Sequence, residues 1–123
     1  MSLVSELAPG GKLRVGVNYG NFLIVSGKRD GVPVGVAPDL GRELARRLGV
    51  PVEFVEYRQA GDLAEGARTG AWDVGFLGAE PQRASEIAFT AAYLEIPVTY
   101  LVPAGSPIRM LADVDRPGVR VAV

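Results

Sequence analysis

The stretch Gly70–Tyr93, GAWDVGFLGAEPQRASEIAFTAAY, sets the fold class of this chain. An apolar run from Trp72 to Leu77 reads as a strand and leads straight into Gly78. Pro81-Gln82-Arg83 then offers the start of a short helix. This order gathers a close-approach glycine, the first amides of a helix and one arginine at the carboxyl end of a strand. Open α/β sheets bind small ligands in the crevice beyond that edge. Helix-start amides and the guanidinium fork both favour an anion such as a carboxylate. The stretch therefore predicts a site for a small acid.

Outward from it, strands and helices alternate. Leu13-Arg14-Val15-Gly16-Val17 follows the Pro9-Gly10-Gly11 break and reads as a first strand. Phe22–Val25 and Val32–Val36 are short apolar runs around Gly27–Gly31, which predicts a hairpin with a solvated tip. A helix follows, with Pro38 at its first position, Asp39 beside its positive end and an inward stripe of Leu40, Leu44 and Leu48. Gly49 and Pro51 end it. Val52–Tyr57 alternates strictly, as a second strand does. Asp62–Thr69 reads as a weaker helix with Leu63 and Ala67 inward, and Trp72 as core. Pro97–Pro103 reads as a fourth strand, Ile108–Val114 as one helical turn, and Val119–Val123 as a last strand. Parallel strands joined by helical crossovers leave few arrangements other than a three-layer α/β sandwich with a mainly parallel sheet.

Composition narrows the chemistry. The 123 residues hold thirteen Lys+Arg against fourteen Asp+Glu, a net charge of −1. That balance gives no electrostatic case for nucleic acid or an anionic membrane. Histidine and cysteine are absent, which removes imidazole acid–base catalysis, thiol nucleophiles, thiolate zinc sites and disulfides. Neither Gly11-Lys12 nor Gly27-Lys28 has the preceding glycine of a phosphate loop. Val17–Gly20 lacks the dinucleotide glycine spacing, and the aspartates follow no calcium-loop pattern. No cofactor and no metal are expected. No segment approaches the roughly 20 apolar residues of a membrane span. Leu3-Val4 is interrupted by Ser5 and Glu6, so the start carries no export-signal pattern.

Several ordered motifs now combine. They are Leu13–Val17; Gly35, Asp39-Leu40 and Glu43–Gly49; Val52–Val55; then Gly70, Asp73-Val74, Arg83, Ile87-Ala88-Phe89-Thr90, Tyr93 and Ser106-Pro107-Ile108. Their order and spacing resemble the first lobe of the extracellular solute-binding proteins that feed amino acids and similar polar solutes to ABC importers. The resemblance implies a type II periplasmic-binding-protein lobe, one half of a clamshell of two α/β lobes. Residues 1–12 would be a leader or linker, residues 13–102 lobe one, and residues 103–123 a crossing segment with the first strand of lobe two. It implies a binding protein rather than an enzyme, a permease partner and a periplasmic location after removal of a signal absent from this chain. An exposed lobe-two strand would favour a homodimer.

By the same resemblance Arg83 grips the ligand carboxylate, although on the residues alone it reads more simply as a solvated arginine. Gly78 would meet the ligand through its backbone or serve only as a turn. The loop Asn18–Phe22 would lie over the ligand, with Tyr19 or Phe22 stacking on it or entering the core. Asp39 reads as a helix-start residue. Between Gly78 and Arg83 the chain has only Ala79-Glu80-Pro81-Gln82, shorter than in relatives and without their hydroxyl, so Ala79 and Glu80 would contact the ligand instead. Ala60 stands where many relatives have an aromatic residue, implying a wider pocket. After Gly35, Val36 and Ala37 stand where relatives have an aromatic and an acid. These departures weaken the case for an ordinary α-amino acid and leave the carboxylate preference to Arg83. Two alternatives stay open on this scaffold: a dehydratase of prephenate-like acids using Glu80, and a sensor domain of a membrane receptor.

Overall fold

The computed structural model describes residues 2–123. They divide into two compact units, one ending at Thr90 and the other spanning Ala91–Val123. The first contains helix α1 (Leu3–Leu7), strands β1 (Leu13–Asn18), β2 (Gly27–Arg29) and β3 (Val32–Val34), helix α2 (Val36–Leu48), strand β4 (Val52–Tyr57), helix α3 (Ala60–Arg68), strand β5 (Val74–Gly75) and the single turn α4 (Pro81–Ala84). The second holds only the single turn α5 (Leu111–Val114).

Strand β1 is the middle of a three-stranded sheet of order β4-β1-β5, parallel to both neighbours. Leu13 pairs with Val52 and Asn18 with Tyr57; on the other side Val15 pairs with Val74. The alternation of β1 assigns the layers. A Cβ added to Gly41 of α2 would meet Val15, whereas one added to Gly16 would meet Leu63 of α3 and Trp72. Successive strand residues face opposite sides, so α2 covers one face and α3 the other. The expected three layers are present, and the run containing Trp72–Leu77 joins the same sheet as Leu13–Val17. The core centres on Leu13, Val15 and Val17 against Ile24, Val25, Ala37 and Ala45.

Local chemistry explains most boundaries. The β2–β3 hairpin turns at Asp30 (φ 52°) and Gly31 (φ 77°), the pair of positive φ angles that a two-residue turn needs to match strand twist. Gly35 precedes α2 at φ 138°, and a Cβ there would stand 2.5 Å from the Ile24 carbonyl oxygen, so no other residue fits. Gly49 closes α2 in the left-handed conformation. Asp73, just before β5, accepts from the Arg14 backbone N–H at 2.9 Å and from its guanidinium at 2.7 and 3.1 Å. The Asp73 N–H donates to the Arg14 carbonyl, so four hydrogen bonds lock β5 to β1.

Several expectations are corrected. The core stripe of α2 is Ala37, Gly41 and Ala45, while Leu40 is 40 % exposed. The helix lies so close to β1 that only small residues fit beneath it, and Leu44 and Leu48 pack from the side. Phe22–Val25 is no strand: Ile24 and Val25 donate back to the Asn21 carbonyl in a turn, and pairing begins at Gly27. Helix α2 starts at Val36, two residues before Pro38. Residues 97–103 and 119–123 form no strand. Extended backbone needs a neighbouring ladder, and the described residues offer those segments none. In the second unit Asp113 caps α5 by accepting from the Arg109 and Met110 N–H groups at 2.9 and 3.2 Å.

Candidate functional site

The chain leaves β1 for α2 on one face and reaches β5 through α3 on the other. The connection therefore reverses direction between β1 and β5, and their carboxyl ends open into a crevice. A cleft of about 280 Å³ occupies this point, lined by Asn18, Gly20 and Asn21 after β1, Ala60 at the start of α3, and Phe76, Leu77, Gly78, Glu80 and Arg83 beyond β5. All of these belong to the first unit.

Arg83 is 20 % exposed at its side chain. Its Nη1 donates to the Gly78 carbonyl at 3.2 Å, and Nη1 lies 3.7 Å from Glu80 Oε1. Nε and Nη2 have no hydrogen-bond partner among the described residues, so one prong of the fork and the side N–H remain available. A Cβ placed on Gly78 would meet only Arg83 Nη1, at 3.5 Å. Glycine there is not demanded by the chain's own packing; it keeps the cleft beside the guanidinium clear. The expected contribution from helix-start amides is corrected. Helix α4 is a single turn of four residues opening on Pro81, which has no N–H. One turn aligns too few peptide dipoles to matter, and the positive character of the cleft rests on Arg83.

The loop after β1 is tightly built. The Gly20 N–H donates to Asn18 Oδ1 at 2.8 Å, and a Cβ on Gly20 would stand 2.8 Å from the Arg58 carbonyl oxygen. Asn18 is 6 % exposed. Tyr19 does not line the cleft: its hydroxyl donates to Glu56 Oε1 at 2.5 Å, and Lys28 reaches the other oxygen of the same carboxylate at 3.0 Å. Burial, followed by the Glu56 carboxylate, pushes the Tyr19 phenol well above its ordinary range. The two hydrogen bonds in turn hold Glu56 below the usual carboxylate range. Phe22 is 75 % exposed and also lies outside the cleft. Of the residues expected from sequence, the cleft brings together Asn18, Gly78, Glu80 and Arg83 and leaves out Tyr19, Phe22 and Ala79. Gly20 and Asn21 fall within the expected loop Asn18–Phe22, whereas Phe76 and Leu77 were expected only as strand residues. Ala60 also lines the wall. Among the described residues no group of carboxylates could hold a metal ion, and no helix is long and apolar enough to cross a membrane.

Two solved structures share this architecture. An ancestral cationic amino acid solute-binding protein is 29% identical, with a TM-score of 0.57 over 68% of this chain and 37% of its own. An ancestral cyclohexadienyl dehydratase is 29% identical, with a TM-score of 0.63 over 76% of this chain and 39% of its own. The chain thus spans less than two fifths of either. Residues 13–120, from the first residue of β1 to beyond α5, match one family model, and the chain belongs to the bacterial extracellular solute-binding proteins, family 3.

Proposed function

We propose that this chain forms the first lobe of a protein that binds a small carboxylate-bearing solute, an amino acid or related polar acid, and delivers it to an ABC permease from the extracellular or periplasmic side. The observation that carries this reading is Arg83, lining the switch-point cleft beside Gly78 with hydrogen-bond donors unspent. In this reading residues 13–102 are lobe one, residues 103–123 cross toward a second lobe, and closure of the two lobes desolvates the cleft. Gly78 and Glu80 flank the ligand head, Ala79 spaces them, and Tyr19 and Phe22 act outside the contact shell. The apolar surface of the second unit favours a homodimer.

Replacement of Arg83 tests the reading. Arg83→Ala lowers affinity for carboxylates by roughly 10- to 100-fold, the worth of a charged hydrogen bond of about 1.5–3 kcal/mol. Arg83→Lys restores only part of it, because an ammonium cannot make the planar two-pronged contact. Arg46→Ala, on the exposed face of α2 where Arg47 also holds Glu43, leaves binding unchanged. Calorimetric titration of the purified protein with a panel of small acids measures all three. Equal affinities for the Arg83 and Arg46 variants overturn the reading.

A second reading, dehydration of a cyclic acid in the same cleft, is favoured by the likeness to an ancestral cyclohexadienyl dehydratase and by a carboxylate, Glu80, beside the arginine. Product formation from a cyclohexadienyl acid separates it from simple binding.

A further inference from the structure

Asn18, 6 % exposed, is the one buried polar residue among the described residues, and it lines the cleft. Its orientation is fixed by chemistry. The Gly20 N–H donates to the side-chain oxygen at 2.8 Å, which turns that oxygen toward the loop backbone and leaves the amide nitrogen on the opposite side. Nδ2 has no partner among the described residues, yet no buried side-chain nitrogen or oxygen is sealed off unsatisfied. Nδ2 is therefore reachable, and the cleft is the space the residue borders. The backbone around it is not free to turn the amide over, because Gly20 is wedged against the Arg58 carbonyl and Asn18 itself is the paired last residue of β1.

The cleft thus presents two fixed donor groups, the Arg83 guanidinium and Asn18 Nδ2. A carboxylate satisfies the first. The second requires another acceptor on the ligand, and an ammonium in its place would set donor against donor and leave Nδ2 unpaired in a desolvated site. Asn21 can offer either end of its amide and does not discriminate. Glu80, the one anionic side chain of the lining, is drawn toward Arg83.

We infer that Asn18 makes this cleft selective for acids with a second hydrogen-bond acceptor beside the carboxylate, the 2-oxo and 2-hydroxy acids, over the matching 2-ammonio acids. The inference rests on the carboxylate reading above and narrows its ligand class.

Four molecules of one carbon skeleton test it: 3-methyl-2-oxobutanoate, 2-hydroxy-3-methylbutanoate, valine and isovalerate, titrated into the purified protein and followed by calorimetry or amide NMR shifts. The oxo and hydroxy acids bind tighter than isovalerate by about fivefold, the equivalent of one neutral hydrogen bond, and valine binds weakest. Asn18→Asp keeps an oxygen for the Gly20 N–H but replaces the donor with an anionic acceptor. It reverses the order, so that valine exceeds the oxo acid. Valine equal to or tighter than the oxo acid in the unaltered protein overturns the inference while the carboxylate reading stands, and points to Glu80 as an ammonium partner. An unchanged order in Asn18→Asp also overturns it. Absence of binding by all four, with Arg83→Ala indistinguishable from the parent, overturns the carboxylate reading and the inference with it.

Discussion

Asp73 shows how one residue secures the geometry of the cleft from its far side. Its side chain is 8% exposed and receives the Arg14 guanidinium and backbone N–H. Burial alone would raise its pKa, but the hydrogen bonds from Arg14 outweigh it and hold the carboxyl below its ordinary value. A folded-state pKa below the unfolded value of about 3.9 contributes stability that is complete above about pH 5 and is lost as pH falls through the folded value. Asp73→Asn therefore destabilises the protein at pH 7 by about 2 kcal/mol and flattens the acid limb of its stability curve, measured by denaturant unfolding between pH 3 and pH 7. An acid limb as steep as the parent's would show that other carboxylates carry it. Asp73-Val74 was legible as a motif, but its partner fifty-nine positions away was not. Arg83 and Gly78 were legible because a strand, a glycine and a nearby arginine are local in sequence. Tyr19, expected either to stack on the ligand or to enter the core, packs against the core and turns its hydroxyl to Glu56 of another strand.

At the scale of elements, the contact between α2 and β1 decides which glycines matter. A Cβ on Gly41 would stand 2.9 Å from Val15 Cγ1, whereas one on Gly61 in α3 meets nothing within 4 Å. Ala is preferred to Gly in a helix by about 1 kcal/mol, and overpacking a core costs about 1–3 kcal/mol. Gly41→Ala is therefore destabilising by about 1 kcal/mol in spite of its better helix propensity. Gly61→Ala, near the helix start and exposed, is stabilising by about 0.5 kcal/mol. Thermal unfolding of the two variants checks the opposite signs. The helix itself was legible from its capping and charge pattern. Its buried stripe was not, since the leucine repeat marks bulk rather than closeness. A hairpin was expected around Gly27–Gly31, but Gly27–Arg29 forms its first strand and only Asp30-Gly31 turns; Phe22–Val25 was misread as that strand because a short apolar run has no distinguishing period.

Across the whole molecule, the second unit exposes an unusual amount of apolar surface. Val98 is 93% and Leu101 100% exposed, with Leu94, Ile96 and Tyr100 also open. Exposed apolar residues gathered in one segment favour a contact surface. The isolated chain is expected to self-associate with rising concentration, and the double change Val98→Lys with Leu101→Lys to return it to the monomer. Sedimentation equilibrium checks both; a monomer at high concentration for the unaltered chain excludes the surface as a self-contact.

The sequence by itself determined the alternation of strands and helices, the glycine stops, the shared parallel sheet and the arginine beyond its third strand. Each of these depends on residues within one or two turns of one another, where propensity and period act directly. Only the tertiary structure decided that the Asn18 side-chain oxygen takes the Gly20 N–H, that Tyr19 turns to Glu56, and that α4 is a single turn. It also left residues 97–103 and 119–123 without a sheet to join. A strand or a side-chain direction is fixed by what lies across from it, and that neighbour is supplied by the fold rather than by the adjoining sequence.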